Sequence, residues 1–226
     1  MLKNVEINQS SLKEIQQNIT KHSPYPHKVK IIVVTKNKPI VSVFSSINNK
    51  LYNIGENRVK ETQQKFFKQP IHKKTKLHFI GQLQTNKISK VVKTYNVIHS
   101  VDKIGKIHKI NSCAQKHNII SQVFLQLKLN PNPAQTGFSE QDIIQGAHET
   151  TQMSNMELIG LMVIGPNTKN KTKIQQCFYK TKNIQEYICD KINRSCVNTS
   201  MGMSQDYILA LQEGSTHIRI GTRLFK

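Results

Sequence analysis

Arginine is scarce in this chain. Of 33 basic residues only 4 are Arg and 29 are Lys, against 13 Asp and Glu, and the formal net charge is +20. A charge of that size suits nucleic acid or an anionic surface. Nucleic-acid readers, however, concentrate Arg or interleave aromatics, whereas these lysines are scattered and their densest group is the short HKKTK at 72–76. Lys, Asn and Ile share A/T-rich codons, so an A/T-rich genome accounts for the composition without a nucleic-acid partner. Long apolar runs are missing too. None approaches the roughly 18 residues a membrane span needs, and the opening MLKNVEINQS lacks the apolar core of a signal peptide. A cytoplasmic location is expected. The four cysteines, Cys113, Cys177, Cys189 and Cys196, form no CxxC pair and are too few for a disulfide scaffold; reduced thiols are expected. The nine histidines show no HExxH or other metal spacing, so no metal site is expected. No Pro/Gly/Ser-rich linker or low-complexity block divides the 226 residues, which read as one domain, 1–226.

What is present is alternation. Ser11-Leu12-Lys13-Glu14 has the form of a capping box. Leu12, Ile15 and Ile19 then share a helical face, closed by Pro24 and Pro26. VKIIVVTK (29–36) follows as the first strand. Further strands are expected at Asn53 to Glu56, Leu77 to Gly81, Val97 to Val101, Gln122 to Leu129, Leu158 to Ile164, Cys196 to Ser200 and His217 to Thr222. Helices fit between them at Ile40 to Lys50, Arg58 to Phe67, Lys87 to Lys93, Lys103 to Lys116, Glu140 to Met153, Lys171 to Arg194 and Gln205 to Gln212. Ser139-Glu140-Gln141-Asp142 offers another capping-box start, and NPNPAQTG (130–137) reads as a surface loop. Eight strand–helix units behind a leading helix argue for an α/β fold, a single-domain (β/α)8 TIM barrel with an extra N-terminal helix. An open doubly wound sheet competes, but neither a GxGxxG after the first strand nor a P-loop is present.

Sites in such barrels lie at the C-terminal strand ends, with phosphates near the last two strands. Ile32, Val34 and Lys36 share one face of the first strand. If that face lines the barrel, Lys36 enters the mouth, where desolvation would free its amine for imine chemistry. From position alone, a solvated strand-end lysine is the simpler reading. TSMGMSQDY (199–207) combines hydroxyls and Gly202 ahead of a helix, a pattern that suits an anion or serves only as a turn with Ser204 as N-cap. In GSTHIRIGTRLF (214–225), Ile218 and Ile220 would face the helices and Arg219 and Gly221 the interior, with Thr222 at the strand end. Gly221 would let a ligand approach the backbone. Arg219 would need an acceptor, and a core ion pair competes with a ligand for that role. A strand-end amine, an anion cradle and an inward Arg together fit a phosphorylated aldehyde held as an imine.

VVTKNKP, IGENRVKE, LHFIGQLQTNK, IHSVD, ELIGLM, SMGMSQDY and GSTHIRIGTRLF also carry a resemblance. In order and spacing they resemble the YggS/PROSC family of pyridoxal 5′-phosphate (PLP) homeostasis proteins, related to the N-terminal domain of alanine racemase. The resemblance implies a barrel that carries and buffers PLP without strong catalysis. It implies PLP held as an aldimine on Lys36, Asn57 near the cofactor, phosphate at Ser200, Gly202, Gly221 and Thr222, and Arg219 facing the pyridine nitrogen. His78 and Met203 lie in motifs around the pocket. Thr35, where Ser is common, Gln82, where Pro is frequent, and Arg223, where a small residue is usual, depart from the pattern, as does LKLNPNPAQTG. Arg can only donate, so it leaves the pyridine nitrogen unprotonated and the ring a poor electron sink. The implied partners are PLP and PLP-dependent apoenzymes, and a monomer is expected. The alternative is a PLP-dependent amino-acid racemase or decarboxylase. A two-base racemase needs a second acid/base, which relatives supply from a second domain, and no such domain is expected after Lys226.

Overall fold

The computed structural model describes residues 5–69, 71–130 and 135–225. Eight parallel strands pair in sequence order and close, β1 against β8, into a barrel. They are β1 (Lys30–Val34), β2 (Asn53–Glu56), β3 (Lys76–Phe79), β4 (Val97–Val101), β5 (Ser121–Leu127), β6 (Met156–Val163), β7 (Asn198–Met203) and β8 (His217–Ile220). Helices α2 (Val41–Asn48), α3 (Val59–Lys65), α4 (Ile88–Thr94), α5 (Ile104–Lys116), α6 (Asp142–Thr151), α7 (Lys171–Lys191) and α8 (Tyr207–Gln212) connect successive strands. The doubly wound alternative is excluded by closure.

The N-terminal helix α1 (Gln9–His22) covers the seam where the barrel closes. Its apolar face, Leu12, Ile15 and Ile19, joins Val33, Tyr207, Leu211, Ile218 and Ile220 in one core cluster, and Asn18 Nδ2 donates to the Tyr207 hydroxyl at 2.7 Å. The capping box is displaced from its expected place: Asn8, not Ser11, caps this helix, its Oδ1 accepting from the Ser11 N–H at 2.9 Å. At the second, the helix starts at Asp142 behind Gln141, and Ser139 Oγ accepts from the Asp142 N–H at 3.1 Å and donates to its carboxylate at 2.6 Å, half of the expected box. Of the 130–137 loop, residues 131–134 lie outside the described residues.

Strand alternation sorts the side chains as the sequence implies. Ile31, Val33, Ile218 and Ile220 face the helix layer. A polar, aromatic filling occupies the interior: His78, His99, His217, Phe124, Ser200 and Arg219 are all buried there. His99 stacks on Phe124 with ring centroids 4.3 Å apart, and His217 meets Phe124 edge-on at 5.2 Å.

Two glycines set the chain paths at the mouth. A Cβ on Gly81 would lie 2.2 Å from the Asn57 carbonyl oxygen, so only glycine lets the turn after β3 pass the turn after β2. Gly202, at φ +90°, adopts the left-handed conformation that favours glycine, and a Cβ there would lie 2.6 Å from Ala210 Cβ. That contact packs the end of β7 against α8.

Candidate functional site

The C-terminal strand ends enclose a cavity of about 970 Å³ on the β1, β6, β7 and β8 side of the mouth. Lys36, Met203, Arg219, Gly221 and Thr222 line it. So do residues outside the expected set: Lys38, Asp206 and the 165–169 loop after β6. Asn57, Ser200, Gly202 and His78 are not on its wall. A second, polar depression of about 780 Å³ lies over the loops after β3 to β5 and includes Lys103, Lys106 and Lys128.

Lys36 follows β1 on the face of Ile32 and Val34. Contrary to the expected desolvation, its side chain is exposed, because it projects into an open cavity rather than into packed core. It makes no hydrogen bond, ion pair or ring contact among the described residues. Its neighbour Lys38 is engaged otherwise, with Nζ 4.6 Å from the centroid of the Phe225 ring. The backbone beneath Lys36 is fixed by a buried cluster that sequence reasoning missed. Thr35 Oγ1 donates to Glu56 Oε1 at 2.6 Å. Lys65 Nζ pairs with the same oxygen and donates to the Thr35 carbonyl at 2.8 Å. An acid at the end of β2, turned by alternation towards the helix layer, was the available signal, since a buried carboxylate needs a cation.

Arg219 is buried inside the barrel and its acceptors are neutral, not a core carboxylate. Nη1 donates to the Ser200 carbonyl and hydroxyl, both at 2.7 Å, and Nη2 to the Val163 carbonyl at 2.9 Å. The guanidinium thus ties together the ends of β6, β7 and β8. Burial lowers its pKa to about 10, opposed by the charge of Asp206, so it remains a cation at neutral pH. Burial also pushes Asp206 up, while the Met203 N–H bonded to its Oδ1 at 2.5 Å pulls the other way. Ser200 Oγ is therefore spent inside the barrel, on Arg219 and on His99 Nδ1 at 2.9 Å.

An anionic ligand would find donors here. The backbone N–H groups of Ser204, Gln205, Gly221 and Thr222 take no acceptor among the described residues. At the end of β2 the buried Asn57 Oδ1 likewise has no hydrogen-bond partner among them. The donor set, a free amine, a buried cation and a row of uncommitted N–H groups, fits a phosphorylated aldehyde.

The profile of the "Alanine racemase, N-terminal domain" family matches residues 7–226. The pyridoxal phosphate homeostasis protein of Synechocystis sp. is 32% identical over 200 residues, covering 88% of this chain and 92% of that protein. Its counterpart in Aquifex aeolicus is 30% identical over 218 residues, covering 95% and 93%. PipY of Synechococcus elongatus PCC7942, solved with PLP bound, superposes with a TM-score of 0.84 at 28% identity, covering 96% of this chain and 99% of that one. Alanine racemase of Clostridium difficile, at 16% identity and TM-score 0.70, shares the fold over 57% of its length. The chain belongs to the alanine racemase N-terminal domain family and, within it, to the pyridoxal phosphate homeostasis proteins.

Proposed function

We propose that this protein binds PLP reversibly at the barrel mouth, carries and buffers it, and yields it to PLP-dependent apoenzymes in the cytoplasm, acting as one 1–226 domain and as a monomer. The observation that carries this reading is one cavity lined by Lys36, Arg219, Gly221 and Thr222 in which the Lys36 amine has no partner among the described residues. Lys36 supplies the amine for a covalent aldimine. The N–H groups of Ser204, Gln205, Gly221 and Thr222 hold the phosphate, with Gly202 shaping the turn between them. Asn57, off the cavity wall just after β2, borders the site without lining it. Arg219 donates towards the pyridine nitrogen, and Ser200 acts through Arg219 rather than on the phosphate. When bound, the cofactor offers a reactive carbonyl and an electron-accepting ring, and a donor-only Arg leaves that ring a weak electron sink. That favours storage over turnover, in keeping with relatives named for homeostasis. Four free cysteines suit a reducing compartment.

The test is the visible absorbance of purified protein titrated with PLP, followed by borohydride reduction and peptide mapping. Wild type and Lys38→Ala are expected to form the band and to carry the adduct on residue 36; Lys36→Ala is expected to lose it. An adduct mapped to another of the 29 lysines would overturn the assignment. Robust alanine racemisation at ordinary enzyme concentration would overturn the carrier reading.

A further inference from the structure

The barrel interior holds a chain of buried polar groups of which the proposed function uses only the first two, Arg219 and Ser200. It begins at Arg219 Nη1, 2.7 Å from Ser200 Oγ. Ser200 Oγ lies 2.9 Å from His99 Nδ1, His99 Nε2 lies 2.9 Å from His78 Nδ1, and His78 Nε2 lies 3.1 Å from Asn53 Oδ1. The contacts cross the lumen from β8 through β7, β4 and β3 to β2, from the mouth towards the opposite end. His99 is held flat against Phe124 on β5.

Elementary bonding rules give this chain one direction. Arg219 can only donate, so Ser200 Oγ accepts from it. The single Ser200 proton then goes to His99 Nδ1. His99 is left with its proton on Nε2, which goes to His78 Nδ1, and His78 keeps its own on Nε2 for Asn53 Oδ1. Reversal would strand the hydroxyl proton of Ser200, a residue with no exposed surface and no other acceptor among the described residues. Unsatisfied buried donors are costly. Burial also keeps both imidazoles neutral, helped at His78 by the charges of Lys30 and Lys76 and at His99 by that of Arg219.

We propose that His99 and His78 are positioning residues for Arg219: the one-directional chain Arg219–Ser200–His99–His78–Asn53 holds one edge of the guanidinium and aims its remaining donors at the bound ligand. Those donors, Nε–H and one Nη2–H, take no acceptor among the described residues, and Arg219 lines the cavity. The identity of the ligand rests on the PLP reading; the chain and its direction do not.

Two measurements test it. In ¹⁵N-labelled protein without ligand, long-range ¹H–¹⁵N NMR at pH 7 is expected to find His99 and His78 as neutral Nε2–H tautomers. An Nδ1–H tautomer or an imidazolium at either would overturn the chain. In PLP titrations, His99→Leu and Ser200→Ala are expected to weaken binding about tenfold, the scale of one hydrogen bond to a charged group, and to shift the bound absorbance maximum. His99→Gln, whose amide both accepts and donates, is expected to recover most of the affinity. Unchanged affinity and spectrum in Ser200→Ala would overturn the proposal even if His99→Leu fails to fold. Wild type that binds no PLP would overturn the functional reading instead and leave the tautomer result standing.

Discussion

Lys65 shows how a residue outside the cavity shapes it. Its ammonium is almost wholly buried between the Glu56 carboxylate and the Thr35 carbonyl, one residue before Lys36. Removing one partner of a buried pair leaves an uncompensated charge and costs about 3–5 kcal/mol. Lys65→Met is therefore expected to destabilise the fold by that amount in urea unfolding. Thr35→Val, which removes only the hydroxyl bonded to Glu56, is expected to cost about 1 kcal/mol. Equal stability of Lys65→Met and wild type would mean that the pair does not hold the end of β1. The sequence distinguished Lys36 through its place on the interior face of β1, and Arg219 through the alternation IRIG. It did not show that Ser200 serves Arg219, because that contact joins two strands and depends on their register.

At the scale of elements, the strands and helices were largely legible. Expected and observed bounds agree for β2 and β4, since each lies between clear turn residues. The strand expected from Cys196 starts instead at Asn198, with Cys196 buried in the core beside α6 and α7. The cap of α1 also moved. Ser and Asn both cap well, and the choice falls to Asn8 because its N–H bonds the Leu224 carbonyl at 2.8 Å, which anchors the helix start to the chain after β8. Asn8→Ala is expected to cost about 1 kcal/mol and Ser11→Ala less than about 0.5 kcal/mol. Thermal or urea melts of the two variants decide between them, and the reverse order would restore the capping box at Ser11.

At the scale of the molecule, the buried histidines link the interior to pH. An unfolded histidine takes up a proton near pH 6.5. In the fold, burial and the charges of Lys30 and Lys76 lower His78 to about 3, and burial beside His78 and Arg219 holds His99 and His217 well below their usual range. Between about pH 6.5 and 3 the unfolded chain therefore binds more protons than the folded one, and stability falls as the pH drops through that window. The urea midpoint is expected to be clearly lower at pH 5 than at pH 7.5, with His99→Gln reducing the difference. A midpoint independent of pH over that range would show that the three imidazoles are not held neutral.

The (β/α)8 alternation, the leading helix, and the two side chains, Lys36 and Arg219, that the strand period sends inward are all legible in the chain before it folds. Local patterns fix these, because period and turn chemistry act over a few residues. The closed barrel adds that Lys36 stands free of partners among the described residues while Lys38 lies on Phe225, that Thr35, Glu56 and Lys65 lock the end of β1, and that Ser200 joins Arg219 to a line of histidines across the lumen. These contacts pair residues far apart in the chain, and they exist only once the barrel closes and sets the register of its strands.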